Sequence, residues 1–325
     1  MVRCLGILAS VAIAGCSVSG GDGDDECTGS KCDDPADHAD SGPDGEGDGG
    51  VPACAGVLPV HWISGGPDCG SEPAIQVHAY DPDTFILRQS LCTSPEAPFL
   101  YLLFGEERAL LEDTGDDVGV SIPLVDTVEQ LLADRRAATG QAELELVVVN
   151  SHAHGDHVAY NQDLEGRAGI TVVGFTSDRI SDFFDFEWPA GSAEVDLGGR
   201  VVDLFPIPGH EANHIALYDR RDQLLLTGDT LYPGRLFIDD FATYQASISR
   251  LVDFTAAQPI CHVLGTHIEM STTPGQEYEF GADHHPDEHE LPLARDHLLE
   301  LRDALDRMDG APSRETHDDF VIVPL

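Results

Sequence analysis

The apolar run LELVVV, residues 144–149, ends on the segment NSHAHGDHVAY, in which three histidines and an aspartate fall within the six positions 152–157. A closed core does not tolerate that many unpaired polar atoms, so this strand has to end at an open sheet edge. In an extended segment residues two apart point the same way, and His152 and His154 therefore converge on one point. Gly155 is expected to let the backbone turn sharply, after which Asp156 and His157 aim elsewhere. Imidazole and carboxylate both suit zinc, so this one segment can serve two adjacent metal ions.

Three further apolar runs end on a ligand-type side chain. PIPGH places His210 after a strand, LLLTGDT does the same for Asp229, and HVLGTH for His267. Each side chain follows a run that reads as a strand and a glycine, the way loops at a sheet edge present functional groups. One histidine after a strand is usually structural; four such endings in one chain form a set. Around them, IQVHAYDPDTFILRQSL and PFLYLLFGEERALLEDTG read as strands, the second a hairpin around GEE. In IPLVDTVEQLLADRRAATG, Leu124, Val128, Leu131 and Leu132 form one helical face and Gly140 ends the helix. ITVVGF, RVVDLFPIPGH, HIALYD and QLLLTGD read as strands, the last two a hairpin. SDRISDFF, FATYQASISRLVDF and LPLARDHLLELRDALDRM read as helices. Strands dominate each half and helices follow them, which fits a two-sheet sandwich with helices outside.

The N-terminus has a different character. MVRCLGILASVAIAGC, residues 1–16, has one arginine, a short apolar stretch and small residues before Cys16, the pattern of a secretory signal too short to span a bilayer stably. Its end, IAGC, resembles the bacterial lipobox, which implies lipidation of Cys16 and an exported, membrane-anchored protein of the cell envelope. Residues 17–50 are mostly Gly, Asp, Ser and Pro and read as a disordered tether, leaving 51–325 as the folded domain. Apart from Cys4 and Cys16, six cysteines remain, and an even number in an oxidising compartment implies disulfides. Cys27 with Cys32 and Cys54 with Cys69 are the economical local pairs. The net charge is −42, of which the tether's 11 acids and one base supply only about a quarter. So acidic a fold repels phosphate backbones, which argues against nucleic acid as a substrate. No sequence signal sets an oligomeric state.

Taken together, HAHGDH, PGH, TGD and GTH resemble the metallo-β-lactamase-fold hydrolases over roughly residues 75–270, and LLEDTG resembles that family's early aspartate-bearing turn, at Asp113. The resemblance implies an α/β fold, the αβ/βα four-layer sandwich, with the site along one edge of its sheets. It implies that His152, His154 and His210 hold one metal ion, that Asp156, His157 and His267 hold the other, and that Asp229 bridges both. Two zinc ions are the expected cofactors, with iron or manganese as substitutes. The reaction expected is hydrolysis of an ester-like bond in a small molecule (lactone, thioester or β-lactam) by a bridging hydroxide, with Asp156 and Asp229 in catalytic roles. An aspartate at position 229 departs from β-lactamases that use cysteine there and matches dinuclear thioesterases, lactonases and phosphodiesterases. An iron-dependent redox or dioxygenase-type enzyme on the same scaffold is the alternative. Tyr232 and Arg235, just past Asp229, are candidates to bind a substrate carboxylate or carbonyl; the other reading is a packed tyrosine and a surface arginine. The polar loop after His267, with His284, His285 and His289, is a candidate cap. His214 is either a hairpin residue or a partner that orients a ligand.

Overall fold

The computed structural model describes residues 54, 56–58, 60–67 and 69–325. The signal segment with Cys16, the tether, and Cys27 with Cys32 lie outside the described residues. Among the described residues no helix is long and apolar enough to cross a membrane.

The first half of the chain builds a six-stranded sheet in sequential order from β1 (Ile75–Asp81), β2 (Thr84–Gln89), β3 (Phe99–Phe104), β4 (Arg108–Glu112), β5 (Glu145–Val149) and β6 (Ile170–Gly174). The first four strands run antiparallel, whereas β4, β5 and β6 are parallel. The second half builds a five-stranded sheet from β7 (Ala193–Asp196), β8 (Val201–Pro206), β9 (Ile215–Asp219) and β10 (Leu224–Gly228), with β12 (His262–Gly265) added parallel to β10. A small third sheet joins β11 (Arg235–Ile238) to the C-terminal strands β13 (Glu315–Thr316) and β14 (Val321–Pro324). The longer helices are α1 (Leu124–Thr139), α4 (Ser177–Phe184), α5 (Phe241–Ala256) and α6 (Arg295–Met308); α2 (Gly155–Val158) and α3 (Asn161–Leu164) are single turns.

The layering follows from strand alternation. In β3 every residue is buried, because Phe99, Tyr101 and Leu103 face one core while Leu100, Leu102 and Phe104 face another. The first core lies between the two large sheets, where the β3 residues meet Leu204, Leu217 and Leu226. The second lies under α1, whose Leu124, Val128 and Leu132 pack on Leu111, Leu146 and Val148. A third core sets Ile248, Leu251, Leu298, Leu301 and Leu305 of α5 and α6 against Ala216, Leu225 and Val263. Strands buried on both faces read as continuous apolar runs, and the order helix, sheet, sheet, helix is the expected αβ/βα sandwich. The α1 face appears as read, and Gly140 closes the helix in the left-handed region at φ 73.

The disulfides correct the sequence expectation. Cys54 pairs with Cys261, not with Cys69, and Cys69 pairs with Cys92. Proximity along the chain was a poor guide because the segment before β1 lies beside β12, bringing together cysteines 207 residues apart.

Candidate metal centre

Strand direction gathers the ligands. Both β8 and β10 run antiparallel to β9, so they point the same way, and β12 is parallel to β10. The C-terminal ends of these three strands therefore share one edge, and that edge carries His210, Asp229 and His267. In the other sheet β4 and β5 are parallel, so Asp113 and the HAHGDH segment emerge side by side.

The ligand-type atoms meet in two sets, His152, His154 and His210 with Asp229, and Asp156, His157 and His267. In the first, His154 Nδ1 lies 2.9 Å from His152 Nε2 and 3.2 Å from His210 Nε2. Asp229 Oδ2 is 3.7 Å from His152 Nε2 and 3.5 Å from His210 Nε2. In the second, Asp156 Oδ2 lies 3.1 Å from His157 Nε2 and 3.3 Å from His267 Nε2. The other oxygen of Asp229, Oδ1, is 3.5 Å from His157 Nε2 and 3.2 Å from His267 Nε2. Four ligands about 2.0–2.1 Å from a tetrahedral zinc stand about 3.3 Å from one another, which is the spacing seen around both sets. His157 Nε2 adds a direct sign of fit, being buried and without a hydrogen-bond partner. A buried nitrogen in that state costs free energy unless something accepts its lone pair.

The far nitrogens are held, which selects the tautomer. His157 Nδ1 lies 2.8 Å from Asp113 Oδ2, His210 Nδ1 2.8 Å from the Phe237 carbonyl, and His267 Nδ1 2.8 Å from the Glu96 carbonyl. Each acceptor places a proton on Nδ1 and leaves Nε2 free to bind a cation. Asp113 also accepts from the Ser151 amide at 2.7 Å and the Ser151 hydroxyl at 2.8 Å. To do so it sits fully buried at φ 66, a region aspartate tolerates better than most residues. His214 proves to be a partner as well: its Nε2 accepts from the Asp229 amide at 3.1 Å and its ring stacks on His152 at 4.7 Å.

Two glycines before ligands are sterically required. At Gly228, φ 50, a Cβ would meet His214 Cε1 at 2.6 Å; at Gly209, φ 132, it would meet the Tyr244 backbone at 2.3 Å. Gly155 departs from expectation, since its φ is not positive and a Cβ there would meet nothing within 4 Å. The start of α2, not a glycine turn, carries Asp156 and His157 to the second set.

Electrostatics sort the histidines. Burial lowers the imidazoles of His152, His210 and His214, leaving them neutral. Burial acts in the same direction on His157 and His267, but the surrounding aspartates outweigh it and raise both. Burial would likewise raise Asp229 and Asp156, yet the adjoining histidines hold both carboxyls well below the usual range.

A cavity of about 290 Å³ opens beside the ligands, lined among others by Glu96, Tyr232, Phe237, Asp239, Glu269 and Phe280. Arg235 does not line this cavity but lies behind Phe280, 5.9 Å from the centre of its ring. Its guanidinium pairs with Glu269 at 2.7 Å and Glu277 at 2.6 Å and also donates to the Tyr278 carbonyl. Tyr232 reaches the cavity, but its hydroxyl donates to the Arg235 carbonyl and its ring packs on His267 at 5.4 Å. The Tyr232 hydroxyl proton is therefore not free for substrate. None of the three histidines of the following loop joins either ligand set or lines the cavity: His284 bridges to Gly65, His285 stacks on Tyr278 at 4.0 Å and His289 pairs with Asp319 at 2.9 Å. Of that loop, Glu269 and Phe280 reach the cavity. Sequence reading missed Glu96, whose carbonyl orients His267 from 171 residues away; no local pattern marks it.

The family model for the metallo-beta-lactamase superfamily matches residues 95–305. The chain belongs to that superfamily. Among curated superfamily relatives, the chain is similar to a hydroxyacylglutathione hydrolase of Rhizobium meliloti, 35% identical over 32% of this chain and 42% of that protein. It is also similar to a beta-lactamase-like protein 2 homolog of Caenorhabditis elegans, 26% identical over 64% of each chain. Among solved structures, a metallo-beta-lactamase from Pontibacter korlensis aligns with a TM-score of 0.47 at 17% identity, covering 71% of this chain and 99% of that one. The match spans about two-fifths of the length of the first hydroxyacylglutathione hydrolases found.

Proposed function

We propose that this chain is a two-metal hydrolase, with zinc as its metal, that cleaves an ester or thioester of a small molecule. The observation that carries the reading is Asp229, whose two carboxylate oxygens face the two histidine sets separately. Two dications held there would supply a water acidified to a pKa of about 7 and an electrophilic pull on a carbonyl oxygen. The chain's own contributions are positional. Asp113, Phe237 and Glu96 fix the imidazoles. Asp156 turns Oδ2 to His157 and His267, while its Oδ1 makes no hydrogen bond among the described residues and is free to accept a hydrogen bond that orients the attacking water. The small cavity suits a compact acyl group rather than a polymer, and the thioester named for the curated relatives supports a carbonyl substrate. The test is turnover of a panel of thioesters, lactones and nitrocefin by zinc-loaded protein. We expect carbonyl hydrolysis that chelation removes and that Asp229→Asn reduces at least a hundredfold. An iron-rich preparation that consumes oxygen and hydrolyses nothing would refute the reading.

We further propose that the protein is exported and lipid-anchored through Cys16. The Cys54–Cys261 and Cys69–Cys92 disulfides support an oxidising compartment. Labelling with a palmitate analogue in a bacterial host should mark the protein and fail for Cys16→Ala; labelling of that variant would refute the anchor.

A further inference from the structure

The hydrolase reading says which bond breaks; the walls of the same cavity say what stands beside it, and the inference rests on that reading only for the bond. No arginine or lysine lines the cavity, whereas Glu96, Asp239 and Glu269 do, beyond the ligand aspartates. Glu269 is already compensated, since its two oxygens accept from the Arg235 side chain and amide, each at 2.7 Å. Glu96 and Asp239 are not: neither side chain makes a hydrogen bond or ion pair with any described residue. Their places are nonetheless set by the site itself. The Glu96 carbonyl holds His267 at 2.8 Å, and the Asp239 amide donates to Gly209, next to His210, at 3.0 Å. Two carboxyl groups with no hydrogen-bonded or ion-paired partner among the described residues thus stand in the wall beside the metal ligands. The same wall holds the half-buried Phe237 and the largely exposed Phe280, whose ring already carries the Arg235 guanidinium 5.9 Å from its centroid. Carboxylates beside aromatic faces suit an alkylammonium group, which gains from both. Away from the metal ions, a carboxylate there would meet only the Arg235 guanidinium, which is already paired with Glu269 and Glu277.

We infer that this cavity selects an ester or thioester carrying a positively charged alkylammonium group, received by Glu96 and Asp239, and disfavours substrates that bring a carboxylate there.

The test is calorimetric binding to the zinc-loaded protein at pH 8 and low salt. The probes are three hydroxamates of similar size, bearing a trimethylammonium group, a neutral alkyl group or a carboxylate. We expect the trimethylammonium probe to bind about tenfold more tightly than the neutral one, the range for two partly exposed ion pairs, and the carboxylate probe to bind most weakly. Glu96→Gln with Asp239→Asn should close the gap between cation and neutral probe, and Asp239→Arg should reverse the order of cation and anion. A carboxylate probe that binds as well as the neutral one, or a cation preference that survives the double variant, would overturn the inference. Because binding is read without turnover, the two readings fail separately. Cation preference in a protein that cleaves no ester removes the hydrolase reading alone. Ester cleavage with no charge preference removes this inference alone.

Discussion

Replacing Asp113 by asparagine isolates one physical step, the choice of the His157 tautomer. The residue is fully buried, and its carboxyl accepts from the Ser151 amide at 2.7 Å, the Ser151 hydroxyl at 2.8 Å and His157 Nδ1 at 2.8 Å. Asparagine keeps the size, tolerates φ 66, and keeps one oxygen for the Ser151 amide. Its other end is an amide nitrogen, which donates. Set against a donor, His157 either loses its bond or becomes the acceptor at Nδ1, and the second course moves the proton to Nε2, where a metal has to bind. A bond to a charged group is worth about 1.5–3 kcal/mol, which is about 10- to 100-fold in metal affinity, the range for partners that orient metal ligands. The loss should fall mainly on the Asp156–His157–His267 set, because Asp113 meets His157 directly but reaches His152 of the first set only through the Ser151 hydroxyl, 3.0 Å from His152 Nδ1. Equilibrium dialysis with zinc, read by elemental analysis, should show one tight ion retained and the second weakened by that factor. If Asp113→Asn binds two ions with unchanged affinity, or loses both together, the tautomer argument is wrong.

The pH dependence carries two opposed signs. His152, His210 and His214 have folded pKa values below the unfolded value of about 6.5, so the unfolded chain binds more protons and stability falls as pH drops below about 6.5. His157 and His267 are raised; in metal-free protein their contribution is complete below about 6.5 and is lost as pH rises through the raised values. Melts from pH 5 to 9 should therefore show metal-free protein losing stability on both sides of neutrality and the zinc-loaded protein losing it on the acid side, and a metal-free melting temperature that keeps climbing to pH 9 would contradict this. Removing the Cys54–Cys261 bridge by Cys54→Ser opens a loop of 207 residues, for which chain entropy sets a ceiling of about 5 kcal/mol and ordinary losses are about 2–5 kcal/mol. Urea unfolding should show that loss with zinc content intact, and a change under about 1 kcal/mol would refute it.

Much of this protein is written in short stretches of chain. The α1 face with its closing Gly140, the strand runs buried on both sides, and the seven side chains that could bind metal are local signals, because periodicity and a strand's end depend on neighbouring residues. Strands β11 and β14 were not legible: RLFI and VIVP are four residues each and become strands only by pairing with each other across the fold. The same holds for the partners of individual groups. Whether Arg235 faces substrate or Glu269, whether Cys54 meets Cys69 or Cys261, and which imidazole each oxygen of Asp229 faces are decided by strand order and register, which bring together residues far apart in the chain. A side chain's type limits the bonds it can make, but its partner is whatever folding sets within about 3 Å, and that information is not local.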